Sequence, residues 1–81
     1  MHDVNIEQQV LTYVNSEVAA EVVELDTDLL LTGAVDSLGV MRVTQWMEDE
    51  HGVDVDPLDV TLTNFQTVQR MSNFLESKLQ T

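Results

Sequence analysis

Apolar residues recur at helical spacing along the first quarter of the chain, between Asn5 and about Ala20. They are Ile6, Val10, Leu11, Tyr13, Val14 and Val18. Steps of four residues place side chains on one face of an α-helix, so this pattern predicts a first helix with one buried stripe. Asp3 or Asn5 can cap its start, and the charge of Glu7 suits its first turn.

Residues 21–35, EVVELDTDLLLTGAV, combine an acidic turn with three leucines and a glycine. The mixture predicts a long connection whose leucines, Leu29 to Leu31, are pressed onto the core. Loops of this length inside a small domain are often functional. We therefore expect the connection to position the segment that follows it.

A second helix is predicted to begin at Ser37, with Asp36 as its N-cap and Gly52 as its end. At about 100° per residue its buried stripe contains Val40, Val43 and Met47, with Trp46 as a core-filling side chain on the flank. The opposite side is assigned Ser37, Leu38, Met41, Arg42, Gln45, Glu48 and Asp49. Two apolar side chains thus lie, without an intramolecular reason, on a polar face beside the serine.

Residues 53–60, VDVDPLDV, are predicted to form an extended linker, since one short strand without a partner cannot form a sheet. Residues 61–65 suit a single helical turn, and Thr67 can cap a final helix. The apolar residues of that helix are Val68, Met71, Phe74, Leu75 and Leu79. Three substantial helices and one short helix predict an all-α fold, a small four-helix bundle.

The 81 residues suit a single domain spanning residues 1–81. With no cysteine, neither a disulfide nor a thiolate metal site can brace it. A net charge of −12 repels nucleic acids and anionic membranes and favours partners with basic patches. The N-terminus lacks a secretory signal pattern, and no stretch approaches the roughly 20 apolar residues of a membrane span. We expect a cytoplasmic monomer.

Ser37 is the residue whose chemistry the pattern brings forward. A catalytic serine needs a nearby base, but His2 is at the terminus and His51 lies about 20 Å away along the helix axis. No catalytic residue is therefore assigned. The start of a helix suits a phosphate ester instead, because free amides and the helix dipole stabilise its charge.

No metal site is assigned either. His51 is expected to be an exposed residue at the helix end. Asp54, Asp56 and Asp59 resemble part of a calcium loop, but they lack the glycine and the closing glutamate of an EF-hand.

The chain resembles the acyl carrier protein and peptidyl carrier protein superfamily over roughly residues 6 to 79. The matching elements are Gly33, the run Asp36-Ser37-Leu38, the acids Glu48-Asp49-Glu50 and the motif Phe65-Gln66-Thr67-Val68. The resemblance implies an acyl-carrier-like bundle in which a phosphopantetheinyl transferase attaches 4'-phosphopantetheine from coenzyme A to Ser37. It also implies that Asp36 and Leu38 help the transferase to recognise the site.

By the same resemblance, the thiol of the attached arm carries thioesters between enzymes, which dock on Leu38, Met41, Arg42, Gln45, Glu48 and Asp49. The expected partners are an adenylating acyl or aminoacyl ligase and a downstream acyltransferase, ketosynthase or condensation-type enzyme. Arg42 stands where many fatty-acid carriers have an acid, and this favours a polyketide, nonribosomal peptide or related amino acid-activating pathway.

Two alternatives stay open at this point. One is a carrier of fatty-acid synthesis. The other is an unmodified acidic adaptor that binds a basic protein, with Ser37 serving only as a residue at the start of a helix.

Overall fold

The first helix, α1, covers Ile6–Tyr13 in the computed structural model, which describes residues 5–80. The side chain of Asn5 caps it by accepting a hydrogen bond of 3.0 Å from the Gln8 amide. The helix continues into a wider π-helical turn, Val14–Val18, which the Ala19 amide closes by donating to the Val14 carbonyl at 2.7 Å. The predicted first helix is confirmed, and the alternative cap, Asp3, lies outside the described residues.

The second helix, α2, covers Ser37–His51 and has the predicted caps. Asp36 accepts a hydrogen bond from the Gly39 amide, and Gly52 ends the helix with φ of 70°, a left-handed conformation that glycine adopts without strain. Val40, Val43 and Met47 are buried as predicted.

The short helix α3, Leu62–Phe65, is capped by Thr61, and α4, Val68–Leu79, is capped by Thr67. Both helices are confirmed. The linker before them is not fully extended, because Pro57–Asp59 forms a 3₁₀ turn in which the side chains of Asp56 and Asp59 each accept a backbone hydrogen bond. Proline fixes φ near the value that such a turn needs, and this favours the turn over an extended chain.

The four helices enclose one core of aliphatic, methionine and phenylalanine side chains, so the predicted all-α bundle is confirmed. The fully buried members are Val10, Val14, Leu29, Val43, Met47, Phe65, Val68, Met71 and Leu75. Two predicted core residues are wrong. Leu79 is 42% exposed because it is the last residue of α4, and Leu31 is 84% exposed because the turn after the buried Leu29 directs it outward.

None of the helices among residues 5–80 is both long enough and apolar enough to cross a lipid bilayer.

Candidate functional site

Ser37 is the first residue of α2 and is exposed. Its hydroxyl makes no hydrogen bond with any of residues 5–80. Asp36 is exposed beside it, but the Asp36 carboxylate is engaged with the Gly39 amide at 2.9 Å. The helix start therefore presents an unengaged hydroxyl on a fixed turn of backbone.

The connection that leads to Ser37 is fastened to the bundle by hydrogen bonds that the sequence pattern did not indicate. The Asn15 side chain pairs with Val23 twice, accepting from its amide at 2.8 Å and donating to its carbonyl at 3.1 Å. Farther along, the Leu29 amide donates to the Gln66 carbonyl at 2.9 Å, and the Gln69 amide donates to the Leu25 carbonyl at 3.0 Å. The connection is thus tied to the π-helical turn after α1, to the end of α3 and to the start of α4.

Two aspartate carboxylates in the segments between helices also accept hydrogen bonds. They belong to Asp28, in the connection before α2, and to Asp59, in the linker before α3. The Asp28 carboxylate accepts from the Leu31 amide and from the Gln66 side chain, and these bonds hold its pKa below the usual range. Likewise the pKa of Asp59 is lowered by its contact with Lys78, 3.2 Å away, and by the hydrogen bond from the Asp56 amide. Both carboxylates therefore stabilise their turns in the ionised form.

Gly39, in the first turn of α2, packs tightly against Val18 at the end of the π-helical turn and against Val35. A Cβ atom at this position would lie 2.8 Å from the Cγ1 atoms of both Val18 and Val35. Because carbon atoms cannot approach so closely without displacement, only glycine allows this packing. This packing fixes the position of the first turn of α2, which carries Ser37.

An apolar groove of about 400 Å³ opens beside Ser37, between α2 and α3. Its apolar lining comes from Leu30, Val40, Met41, Val60, Leu62 and Phe65. Met41 is 64% exposed and Leu62 is 61% exposed, so the groove continues onto an apolar surface. A flexible apolar group attached near Ser37 can therefore leave water within reach of its attachment point.

The outward face of α2 carries most of the side chains that were predicted to lie there. Leu38 is 70% exposed, and Arg42, Gln45 and Asp49 are exposed as well. Gln45 donates a hydrogen bond of 3.0 Å to the Asp49 carboxylate. Together these residues form a mixed apolar and polar strip along the helix.

Glu48 does not share this exposure. It is half-buried, and its carboxylate accepts a hydrogen bond of 2.9 Å from the Val55 amide. Glu48, which was assigned to the outward face, is therefore less exposed than Gln45 and Asp49, because the segment after Gly52 folds back and uses this carboxylate as an acceptor for its own backbone.

On its other flank, α2 contacts α1 through a pair of aromatic side chains. Trp46 is half-buried and stacks on Tyr13, with ring centroids 4.7 Å apart and an interplanar angle of 12°. Arg42 lies 3.9 Å from Glu17, and both side chains are more than half exposed. The predicted role of Trp46 in filling the core agrees with its place among the partly buried residues packed against the core.

His51 differs from its predicted exposure. It is half-buried, its Nε2 atom is enclosed without a hydrogen-bond partner among residues 5–80, and its ring packs edge-on to Trp46 at 5.4 Å. Across the described part of the chain, no three histidine, aspartate or glutamate side chains form a group that could hold a metal ion. Two of the three aspartates that resemble part of a calcium loop make hydrogen bonds with the backbone. The Asp56 carboxylate accepts from the Leu58 amide, and the Asp59 carboxylate accepts from the Asp56 amide.

A comparison with protein families gives a match to the family described as "Phosphopantetheine attachment site", and it extends over residues 8–75. This range includes all four helices except the first two and last four helical residues, and it includes the exposed serine of α2. The chain belongs to the phosphopantetheine attachment site family. No curated protein matches the chain.

Membership in this family agrees with the acyl and peptidyl carrier resemblance of the sequence and with the helical bundle. The domain is a site for the covalent attachment of 4'-phosphopantetheine, and the family consists of carrier domains that are in general non-catalytic. Carrier domains of this kind interact with transferases and synthases.

Proposed function

We propose that Ser37 is the residue to which 4'-phosphopantetheine is attached. The observation that carries the proposal is the exposed, unengaged hydroxyl of Ser37 at the start of α2, inside the matched range and next to an apolar groove. The chain has no cysteine, so the thiol needed for a thioester has to come from the attached arm.

The residues around Ser37 fit such a group. The hydroxyl is open to solvent, so a transferase can reach it without unfolding the helix. Of the first amides of α2, that of Gly39 is already engaged by Asp36, which leaves those of Ser37 and Leu38 available to a phosphate oxygen. When bound, the group supplies a flexible tether that ends in a nucleophilic thiol.

Recognition by the transferase is assigned to Asp36 and Leu38, and docking of later enzymes to the outward face of α2. Leu38 and Met41 offer apolar contact, while Gln45 and Asp49 offer polar contact. Negative charge on the domain raises the rate of encounter with basic partner surfaces, and a small contact area lets the partner leave again. Fast exchange of this kind suits a carrier that visits several enzymes.

The cargo proposed is an acyl or aminoacyl thioester of a polyketide, nonribosomal peptide or related amino acid-activating pathway. Arg42 supports this pathway assignment, since a cation interrupts the acidic character of the docking face. The loading enzyme would be an adenylating ligase, and an acyltransferase, ketosynthase or condensation-type enzyme would receive the thioester.

A carrier of fatty-acid synthesis is a second candidate, and the apolar groove favours it. The groove lies next to Ser37 and is lined by aliphatic and aromatic side chains that can shelter a hydrocarbon chain. A groove of this kind would also accept the apolar part of a polyketide intermediate.

A loading assay distinguishes the two candidates. The chain carrying the arm is incubated with ATP and either an amino acid with a stand-alone adenylating ligase, or a fatty acid with an acyl ligase. Release of the cargo by hydroxylamine reports the thioester, and Ser37→Ala is the control that cannot be loaded. Exclusive loading by fatty-acid enzymes would overturn the pathway assignment and leave the attachment site intact.

A further inference from the structure

Met41 is an exposed sulfur-containing residue close to Ser37. The chain has four methionines and no cysteine. Met41 is 64% exposed, whereas Met47 and Met71 are fully buried in the core, and Met1 lies outside the described residues. Within the part of the chain that the structure describes, Met41 is therefore the only sulfur-containing side chain that a dissolved oxidant reaches without opening the core.

The Met41 side chain forms part of the rim of the apolar groove beside Ser37. It follows Ser37 by four residues, so the two side chains lie on the same side of α2. Both line the groove, together with the exposed Val60 and Leu62 and the buried Phe65. A methionine side chain is flexible and polarisable, so it adapts to the shape of an apolar group that enters such a groove.

Oxidation by hydrogen peroxide would change the polarity of this rim. The sulfur lone pair forms a bond with one peroxide oxygen while the oxygen–oxygen bond breaks, and the departing hydroxide takes the proton of the transferred oxygen and leaves as water. The sulfur loses two electrons and the peroxide gains them. The product, methionine sulfoxide, is polar, and an apolar group that covers it has to remove water from it.

We infer that Met41 is a redox-sensitive site, at which conversion to the sulfoxide by hydrogen peroxide weakens the hold of the groove on apolar cargo. The inference rests on the proposed function, in which the groove shelters the apolar part of a thioester cargo. The fold is spared, because the sulfoxide of an exposed residue stays hydrated in the folded chain. The change is also reversible, since methionine sulfoxide reductases reduce both epimers of the sulfoxide.

The test uses the unmodified chain, so its result does not depend on attachment at Ser37. The chain is treated with increasing amounts of hydrogen peroxide, and tandem mass spectrometry of proteolytic peptides locates each sulfoxide. The probe of the groove is N-phenyl-1-naphthylamine, a neutral dye whose fluorescence rises in apolar surroundings. Leu62→Ser should weaken the dye before any peroxide is added, and this places the dye in the groove.

We expect Met41 to be oxidised at amounts of peroxide that leave Met47 and Met71 unchanged. Affinity for the dye should then fall by at least about threefold and return after treatment with the reductases. The matched control is Met41→Leu, which keeps an apolar side chain of similar volume without a sulfur atom. It retains Met1, so any effect of oxidation there appears in both chains.

Four results would overturn the inference. They are oxidation of the buried methionines as fast as that of Met41, a dye that does not bind or does not respond to Leu62→Ser, an unchanged affinity once Met41 is oxidised, and an equal loss in Met41→Leu. None of these results bears on whether Ser37 accepts 4'-phosphopantetheine. Failure of attachment at Ser37 would in turn leave the dye measurements as they are.

Discussion

The Asp36 carboxylate accepts a hydrogen bond from the Gly39 amide at 2.9 Å, and the two residues between them in the chain are Ser37 and Leu38. The Val40 amide donates to the Asp36 carbonyl at the same distance, 2.9 Å. The side chain and the backbone of Asp36 therefore both hold the first turn of α2. Asp36 consequently has a structural role at the start of α2 whether or not an enzyme recognises it. The two roles can be separated by substitution.

Replacing Asp36 with alanine removes the N-cap and should lower the free energy of unfolding by about 1 kcal/mol. Asp36→Asn keeps a side-chain acceptor, so it should keep most of the stability while losing the charge. If the charge helps the transferase, both variants should be modified more slowly. Urea unfolding and the initial rate of modification check this prediction. Thr67→Ala, which removes the cap of α4, serves as the control: it should lose similar stability with no change in rate.

Gly39→Ala should destabilise the fold although alanine favours helices. The added Cβ would meet Val18 and Val35 at 2.8 Å, and such overpacking costs about 1–3 kcal/mol. The better helix propensity of alanine returns about 1 kcal/mol. We therefore expect a net loss, measured as a lower urea midpoint.

A double-mutant cycle tests whether the contact with Val18 is the cause. In a Val18→Ala background one of the two close contacts is relieved, so Gly39→Ala should cost less there than in the original chain. A gain in stability from Gly39→Ala alone would contradict the packing described for this turn.

The pH dependence of stability should depend on Asp28. Its pKa is lowered in the folded chain, chiefly by the Leu31 amide and then by the Gln66 side chain. A lowered folded pKa means that the stabilisation is present above the unfolded value of about 3.9 and is lost as the pH falls through the folded pKa. Asp28→Asn should remove this part of the acid sensitivity.

The measurement is the urea midpoint of Asp28→Asn relative to the original chain, followed from neutral pH to about pH 3. The difference isolates Asp28 from the general relief of self-repulsion when a chain of net charge −12 is protonated. Asp54→Asn is the control, since Asp54 makes no hydrogen bond within the described residues. Parallel pH curves for Asp28→Asn and the original chain would refute the role of Asp28.

Charge reversal at Arg42 should change the choice of partner and leave the fold intact. The ion pair with Glu17 is exposed and contributes only about 0–1 kcal/mol. Arg42→Glu makes the face of α2 more acidic, so association with basic fatty-acid enzymes should become faster at low salt. Arg42→Ala should fall between the two.

Rates of transfer measured over a series of salt concentrations check this prediction. The advantage of Arg42→Glu should shrink as the ionic strength rises, because salt screens exposed charges. An effect that does not depend on salt would show that Arg42 acts through its shape and not through its charge.

Caps and periodicity were sufficient to predict the four α-helices. Asp36 and Thr67 are short polar side chains directly before apolar repeats, and each caps the helix that the repeat predicted. Periodicity gives the direction of a side chain, but it does not reveal whether a neighbour lies at the same height. Leu79 has the correct direction in α4 and is exposed because the helix ends there.

The contacts that fasten the connection could not be predicted from the pattern. Asn15 and Gln66 are polar residues without a motif, and their partners are distant in the sequence. The hydrogen bond of Glu48 could not be predicted either, because its partner is the backbone amide of Val55, which has no sequence signature. The candidate attachment residue was accessible to prediction because it combines a cap, a serine and an apolar helix within a few positions.

Attachment at Ser37 is the claim on which the proposed function depends, and intact-mass spectrometry tests it most directly. The chain is incubated with coenzyme A, Mg²⁺ and a broad-specificity phosphopantetheinyl transferase, beside Ser37→Ala and the control Ser77→Ala, which changes an exposed serine of α4. We predict a mass increase of one phosphopantetheinyl group in the original chain and in Ser77→Ala, and none in Ser37→Ala. An unchanged mass in the original chain, or an increase that persists in Ser37→Ala, would contradict the account.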